Sequence, residues 1–355
     1  MAPLVTAIRE PQQGGSQAFV SDLARGLAGR GHDVHVYAAS GSQIPGVKVI
    51  DTGVDPASLA GTLYRAFGPA APEPAAAGPA FARAYARMRE LQYDVIHNHA
   101  FDAPAVRLAP ARHAPVVHTL HLPPDEAVVT ALRQAAAAGR PPTVAVVSAF
   151  QAGAWRRVVR VDAILPPYVP TRAIPWSPAP GAGAVFAGRL SPEKGAAEAI
   201  DIARMAGLPI DVYGDAYDAG YSREQIDPRR DWPGVTVHRA VPRTSLWAAM
   251  ARAAVVLYPV RWDEAFGMAA AEAQACGTPV VAFRRGALGE VIADGVTGFL
   301  VPPGDVQAAV DAVGRTAGIS RPACREHAEE HLDLERSLDA HERLYRQVAG
   351  PDDGG

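Results

Sequence analysis

The chain of 355 residues is poor in cysteine, with only Cys276 and Cys324, and it carries no strong excess of charge of either sign: 34 basic residues face 37 acidic ones, for a net charge of -3. Two thiols cannot build the disulfide framework of a small secreted domain, so the expected compartment is a reducing cytoplasm. No stretch concentrates lysine and arginine, which excludes nucleic acid as a partner. The chain also lacks an apolar run approaching the roughly 20 residues needed to cross a bilayer. Its opening residues, Met1 to Glu10, lack a basic region followed by a long apolar core. A soluble protein is expected, of an oligomeric state that the sequence leaves open.

What is present is an alternation of short apolar runs and helix-length segments. A single core rarely grows much beyond roughly 250 residues, so this length implies two domains and a cleft. In the first half, a strand at Leu4 to Ile8, a helix at Gln17 to Gly29 and a strand at Val34 to Ala38 make a parallel βαβ unit. Further strands are expected at Val95 to His97, Val116 to Leu120 and Val144 to Val147. The Pro/Ala/Gly stretch from Gly68 to Pro79 offers nothing to bury and is expected to be a surface loop. The prolines from Pro166 to Pro180 cannot sustain regular structure and mark a linker.

Beyond the linker, strands are expected at Ala184 to Ala187, Ile210 to Tyr213, Val235 to His238, Val255 to Tyr258 and Val280 to Phe283. The fold class is α/β, with doubly wound domains over 1–165 and 183–325, a linker at 166–182 and a closing helical segment at 326–355. That segment, helical in period from Arg321 to Ala349, is expected to pack outside or to cross back to the first domain.

In an open parallel sheet, ligands bind beyond the carboxyl ends of the strands. The richest such place follows the strand ending at Tyr258: Glu264, Phe266, Gly267 and Met268 lead into an alanine-rich helix that stops at Gly277. Free N–H groups at a helix start suit an anion or a sugar hydroxyl. With the helix starting near Phe266, Glu272 lies about two turns along it, roughly 9 Å deeper by helix rise. Two solvated glutamates are the ordinary reading of such a pair. Glu272, however, sits among Ala269, Ala270, Ala271, Ala273 and Ala275, where an unmet carboxylate would be costly.

A second strand end, Gly188-Arg189-Leu190-Ser191-Pro192-Glu193-Lys194-Gly195, brings two cations to the rim. Arginine grips phosphate oxygens in pairs and lysine acts as a point charge, so Arg189 and Lys194 suit a diphosphate. Two surface charges five positions apart are the plainer alternative. Gly14 and Gly15, after the first strand, would let backbone amides approach a phosphate or sugar; alone they are also an ordinary turn.

Four imidazoles end strands of the first domain in Asp94-Val95-Ile96-His97-Asn98-His99 and Val116-Val117-His118-Thr119-Leu120-His121. A zinc site is weighed and set aside, because no acidic or thiol cluster completes one. His97 and His118 are expected to be satisfied in the core by backbone partners; His99 and His121, nearer the strand tips, are the functional candidates.

Taken together, these motifs resemble the retaining glycosyltransferases of family 4, over nearly the whole chain. The carriers are Gly14-Gly15, the Asp94 to His99 run, the Gly188 to Gly195 turn, and Glu264 with Glu272 seven residues between. Gly277-Thr278-Pro279-Val280, Gly286, Gly289-Glu290-Val291-Ile292 and Gly295 to Val301 complete them. The resemblance implies the GT-B architecture of two facing Rossmann-like domains. It implies that Arg189 and Lys194 neutralise the donor diphosphate, that Glu272 binds the ribose hydroxyls, and that Glu264 meets the donor sugar with the amides of Phe266, Gly267 and Met268. His99 and His121 would face the sugar; Tyr213, Gly214, Asp215 and Val241 would border the base. The implied reaction is metal-independent and cofactor-free transfer from a nucleotide diphosphate sugar, UDP-linked by preference, to a small acceptor. Compact Ala- and Arg-rich members resemble actinobacterial transferases of secondary metabolism such as antibiotic synthesis. A departure is Leu165-Pro166-Pro167-Tyr168-Val169, where the family has an Asn-Gly turn. The alternatives are a sugar-nucleotide epimerase on the same scaffold and a silent binding module; the full set of cations and acids disfavours the second.

Overall fold

Short β-branched and alanine-rich runs, most of them separated by helix-length connections, favour parallel pairing, and all the ladders described are parallel. The computed structural model describes residues 1–62, 77–109, 114–139, 141–179 and 181–350, with the side chains of 60–62 excepted. By its internal contacts the chain divides into two units. One holds Met1–Arg9, Ser16–Pro167 and the chain from Glu335 onward; the other holds Glu10–Gly15 and Tyr168–Leu334.

In the first unit, β1 (His35–Ala38) pairs with β2 (Lys48–Asp51), and β3 (Ile96–Asn98), β4 (Val116–Leu120), β5 (Thr143–Val146) and β6 (Ala163–Ile164) form a second sheet in that order. The expected strand at Leu4 to Ile8 does not form: Leu4 to Thr6 make a turn. Leu4, Val5 and Ile8 are nonetheless buried, so the apolar run signalled burial rather than extension. Met1 and Ala2 take the bridging place instead. The Ala2 N–H donates to the Tyr37 carbonyl at 2.9 Å, and the Met1 carbonyl accepts from the His99 N–H at 2.9 Å. Of the expected loop from Gly68 to Pro79, residues 68–76 lie outside the described residues. Gly78 and Pro79 belong to the first turn of the Ala77–Met88 helix, where proline loses no intrahelical bond.

The closing segment is two helices, Arg321–His331 and Leu334–Ala349. The second shows one apolar face to the first unit: Ala340, Leu344 and Val348 pack with Val117, Ala145 and Leu165. Its other contacts include Arg30, which pairs with Glu335, Asp339 and Glu342.

The second unit is one six-stranded sheet of order β12-β11-β10-β7-β8-β9. The strands are β7 (Ala184–Ala187), β8 (Ile210–Tyr213), β9 (Val235–His238), β10 (Val255–Tyr258), β11 (Val280–Phe283) and β12 (Gly298–Val301). From β7 the chain adds β8 and β9 on one side, then returns to lay β10 on the other. The reversal point therefore lies between β7 and β10. This unit extends past the expected 183–325 at both ends. Within the expected linker, Val169 bridges to Asp333, and Thr171–Ala173 forms a 3-10 turn. Buried Arg321 fastens the end of the unit, donating to the carbonyls of Ser177 (2.8 Å), Ala253 (2.8 Å) and Ala251 (2.6 Å) and to the Thr278 hydroxyl (2.9 Å). Arg325 likewise reaches the Ala275 carbonyl at 2.7 Å. Helix ends leave carbonyls that such cations can satisfy.

Candidate functional site

The loops after β7 and β10 flank the reversal point and are tied to each other: the Arg261 N–H donates to the Glu193 carbonyl at 2.9 Å. A third loop, after β8, packs so closely on the first that a Cβ on Gly214 would stand 1.9 Å from the Gly188 carbonyl oxygen. The helix after β10 begins at Met268, with Gly267 as its cap at φ 105°. Only glycine adopts that backbone readily. Its start lies two residues later than expected, so Glu272 is one turn along it and Glu264 is in the preceding loop; the 9 Å offset by helix rise does not apply.

Glu264 Oε2 is the centre of a buried polar cluster. It accepts from Lys194 Nζ at 2.7 Å, the Tyr258 hydroxyl at 2.8 Å and Trp262 Nε1 at 3.1 Å. Burial alone would raise its pKa, but Lys194 and the hydrogen bonds together hold the carboxyl below its ordinary value. The ammonium also sits 4.9 Å from the Trp262 ring centroid. Tyr258, fully buried beside this carboxylate, has its hydroxyl pushed well above its ordinary value, chiefly by desolvation. Tyr258 and Trp262 escaped the sequence reading; a tyrosine ending a buried strand was the available signal.

Arg189 and Lys194 do not form one bare cationic rim. Arg189 Nη2 pairs with Glu193 at 3.2 Å and its guanidinium lies 4.1 Å from the Tyr217 ring centroid. The Ser191 hydroxyl donates to the same Glu193 oxygen at 2.7 Å. Each cation is thus held by a carboxylate. An ammonium has three donors and a guanidinium five, so an anion can share both cations with those partners.

Glu272 is buried, and the donor that meets it is Arg243. Nε and Nη2 of Arg243 reach Glu272 Oε1 at 3.0 and 2.7 Å. Arg243 opens the Arg243–Arg252 helix, where a cation opposes the helix dipole. That conflict was the one sequence signal of a partner elsewhere. Its own N–H donates to Glu10 Oε2 at 3.1 Å, in the segment carrying Gly14 and Gly15. A Cβ on Gly15 would meet the Met268 sulfur at 3.1 Å. At the ends of β8 and β9, the Tyr213 ring stacks on His238 with centroids 4.5 Å apart, and Asp215 accepts from the Ala240 N–H at 3.2 Å. Val241 follows, half-buried, two residues before Arg243. Phe266 is buried against Tyr168, ring centroids 5.8 Å apart.

The four strand-end histidines form one cluster, with His99, His118 and His121 buried and His97 half-buried. His99 Nδ1 and His121 Nε2 share a hydrogen bond of 3.0 Å, and the His97 ring stacks on His99 at 4.1 Å. His97 and His118 are satisfied by side chains, not by the backbone partners expected: His97 by Tyr345 and Thr119, each at 2.6 Å, and His118 by Asn98 at 2.9 Å. The reason is that backbone groups of these strands are taken up by the parallel ladder, while the side chains stand off the sheet: His118 faces its register partner Asn98 on β3, and His97 lies between Thr119 of β4 and Tyr345 of the closing helix. Desolvation pushes all four imidazoles down, His118 to about 4 and His121 to about 3. His341, from the closing helix, joins them and is pushed to about 4 by burial. Among the described residues no group of three or more His, Cys, Asp or Glu is placed to hold a metal ion.

A family model described as Glycosyltransferase Family 4 matches residues 13–172, and one described as Glycosyl transferases group 1 matches residues 179–317. A D-inositol 3-phosphate glycosyltransferase of Xylanimonas cellulosilytica is 30% identical over 359 residues, covering 85% of this chain and 82% of that protein. The chain belongs to glycosyltransferase family 4. A second relative of this family 4 glycosyltransferase, the D-inositol 3-phosphate glycosyltransferase of Kribbella flavida, is 31% identical and covers 88% and 84%. Among solved structures, sucrose-phosphate synthase of Thermosynechococcus elongatus superposes with a TM-score of 0.76 at 21% identity, covering 98% of this chain and 99% of that one. HepE of Anabaena, in complex with UDP and glucose, gives 0.70 at 21% over 94% and 97%. A glycosyltransferase involved in avilamycin A biosynthesis gives 0.71 at 22% over 98% and 96%. These likenesses show the fold, the two Rossmann-like α/β units of the GT-B class. No helix among the described residues is long and apolar enough to cross a membrane.

Proposed function

We propose that this family 4 glycosyltransferase moves a hexose-type unit from a UDP-linked sugar to a small acceptor, with retention at the anomeric carbon and without a metal. The observation that carries the reading is the Lys194–Glu264 pair at the reversal point of the second sheet, with Arg189 on the same loop as Lys194. Fixed cations and a helix start can offset the charge that develops on a departing diphosphate, the work a divalent ion does elsewhere. In this scheme the bond from the anomeric carbon to the phosphate oxygen breaks and the acceptor oxygen bonds that carbon on the same face. The acceptor proton passes to the departing phosphate oxygen. Glu264 meets the sugar with the amides of Phe266, Gly267 and Met268, and Glu272 meets the ribose. Gly188 and the Gly14-Gly15 turn give backbone room near the phosphates, and Tyr213, Gly214, Asp215 and Val241 border the base. His99 and His121 are assigned to the sugar; both are buried and held neutral, so they would act as hydrogen-bonding groups and not as charges.

The uridine donor is supported by the UDP complex of HepE. For the acceptor, two classes are open to test: a secondary metabolite, as with the avilamycin enzyme, and a phosphorylated polyol, as the names of the D-inositol 3-phosphate relatives suggest. The deciding experiment is a panel of nucleotide sugars scored by thermal shift, followed by turnover with each acceptor class in EDTA. A ligand that binds only the folded state raises its stability. UDP-sugars should shift the melt and transfer should persist in EDTA. Interconversion of the donor sugar with no acceptor present would establish the epimerase instead.

A further inference from the structure

Arg243 is placed as no ordinary surface arginine is. It is itself buried, it points both Nε and Nη2 at a single oxygen of Glu272, and it leaves the other carboxylate oxygen, Oε2, outside the ion pair. Its guanidinium rests 4.8 Å from the Trp247 ring centroid, which limits its own rotation. Two contacts to one oxygen fix the carboxylate about its last torsion, a bond that otherwise turns freely. A glutamate held this way presents one oxygen, in one direction, as an acceptor. The backbone N–H of the same residue donates to Glu10 Oε2 at 3.1 Å and so anchors the segment that carries Gly14 and Gly15.

From this geometry we infer that Arg243 is a positioning residue for the nucleotide, holding Glu272 so that Oε2 accepts a hydroxyl of the ribose. The inference rests on the donor reading given above. Arg243 touches neither the diphosphate nor the sugar in this scheme, so its loss weakens donor binding and leaves the chemical step alone. A lysine at 243 keeps the charge but supplies a single point donor, which cannot fix the torsion.

The test is calorimetric titration of UDP and of 2′,3′-dideoxyuridine diphosphate into the wild-type chain and into Arg243→Ala and Arg243→Lys, with steady-state kinetics alongside. Arg243→Ala should bind UDP weaker by about tenfold, raise the donor KM by a similar factor and leave kcat within about twofold. For the dideoxy ligand, which lacks the hydroxyls, the substitution should change affinity by less than about twofold. Arg243→Lys should show the same ribose dependence, with a smaller loss, and carries the test if the alanine variant does not fold. Equal losses for the two ligands, or none for either, would overturn the inference. Failure of the wild-type chain to bind UDP or any other nucleoside diphosphate would instead remove the donor reading on which it stands.

Discussion

The Lys194 and Glu264 side chains are only 14% and 9% exposed, and breaking such a pair costs more than the pair contributes, because the surviving charge is stranded. Lys194→Ala should therefore lower stability by about 3 kcal/mol as well as abolish measurable transfer, seen in denaturant unfolding and initial rates. Wild-type rates in that variant would remove the diphosphate assignment. Glu264→Gln keeps the Tyr258 and Trp262 donors and alters only charge, so kcat should fall far more than UDP affinity. At this scale the sequence was informative about what lies at strand ends. Arg189, Lys194, Glu264 and Glu272 are each named by a local rule, a cation at a rim or a carboxylate among alanines. Their partners were not legible. Arg243 lies 29 positions before Glu272, and nothing along the chain says that the helix after β9 and the helix after β10 bring them together. For the histidines the sequence separated two in the core from two nearer the strand tips, whereas His99 and His121 are as buried as His118, a distinction that position along a strand does not carry.

At the scale of elements, two contacts decide whether the loops keep their shape. Gly214→Ala would drive a methyl to 1.9 Å from the Gly188 carbonyl oxygen, so the loops after β7 and β8 must part. Donor KM should rise by about tenfold or more, and the variant's melting temperature should fall below that of the wild type. Arg321→Ala withdraws donors from three carbonyls and a hydroxyl at once, leaving acceptors buried without partners. A loss of about 3 kcal/mol in equilibrium unfolding is expected, with Arg321→Lys recovering only part. The strands β7 to β11 have the bounds expected: β7, β10 and β11 because they are continuous apolar runs buried on both faces, β8 and edge strand β9 because apolar and polar residues alternate along them. β2 and β6 are short and partly exposed, with no such run to announce them. The Leu4 to Ile8 run misled for a different cause: burial without pairing looks identical in sequence.

For the molecule as a whole, four buried imidazoles and the half-buried His97 packed beside them make the first unit sensitive to acid. His97, His99, His118, His121 and His341 are all depressed from the ordinary value of 6.5 by burial. An unfolded chain takes up protons on these rings near pH 6.5, while in the folded one His118 and His341 decline them until about 4, His121 until about 3, and His97 and His99 stay well below their ordinary value. Stability is thus full above pH 6.5 and drains as pH falls, by up to about 1.4 kcal/mol per pH unit for each ring. Unfolding at pH 7.5 and 5.5 should differ by several kcal/mol, and His118→Asn, which can still face Asn98, should flatten the slope. An unchanged midpoint would mean that water reaches these rings in the folded chain.

The tail that begins at Glu335 supplies Leu338, His341, Leu344 and Tyr345 to the unit whose other parts end at Pro167. During synthesis, the amino-terminal half therefore leaves the ribosome with an apolar groove uncovered and must wait through the making of the entire second half before its last helix arrives. Stop codons late in the reading frame should for that reason aggregate the beginning of the protein, not its end.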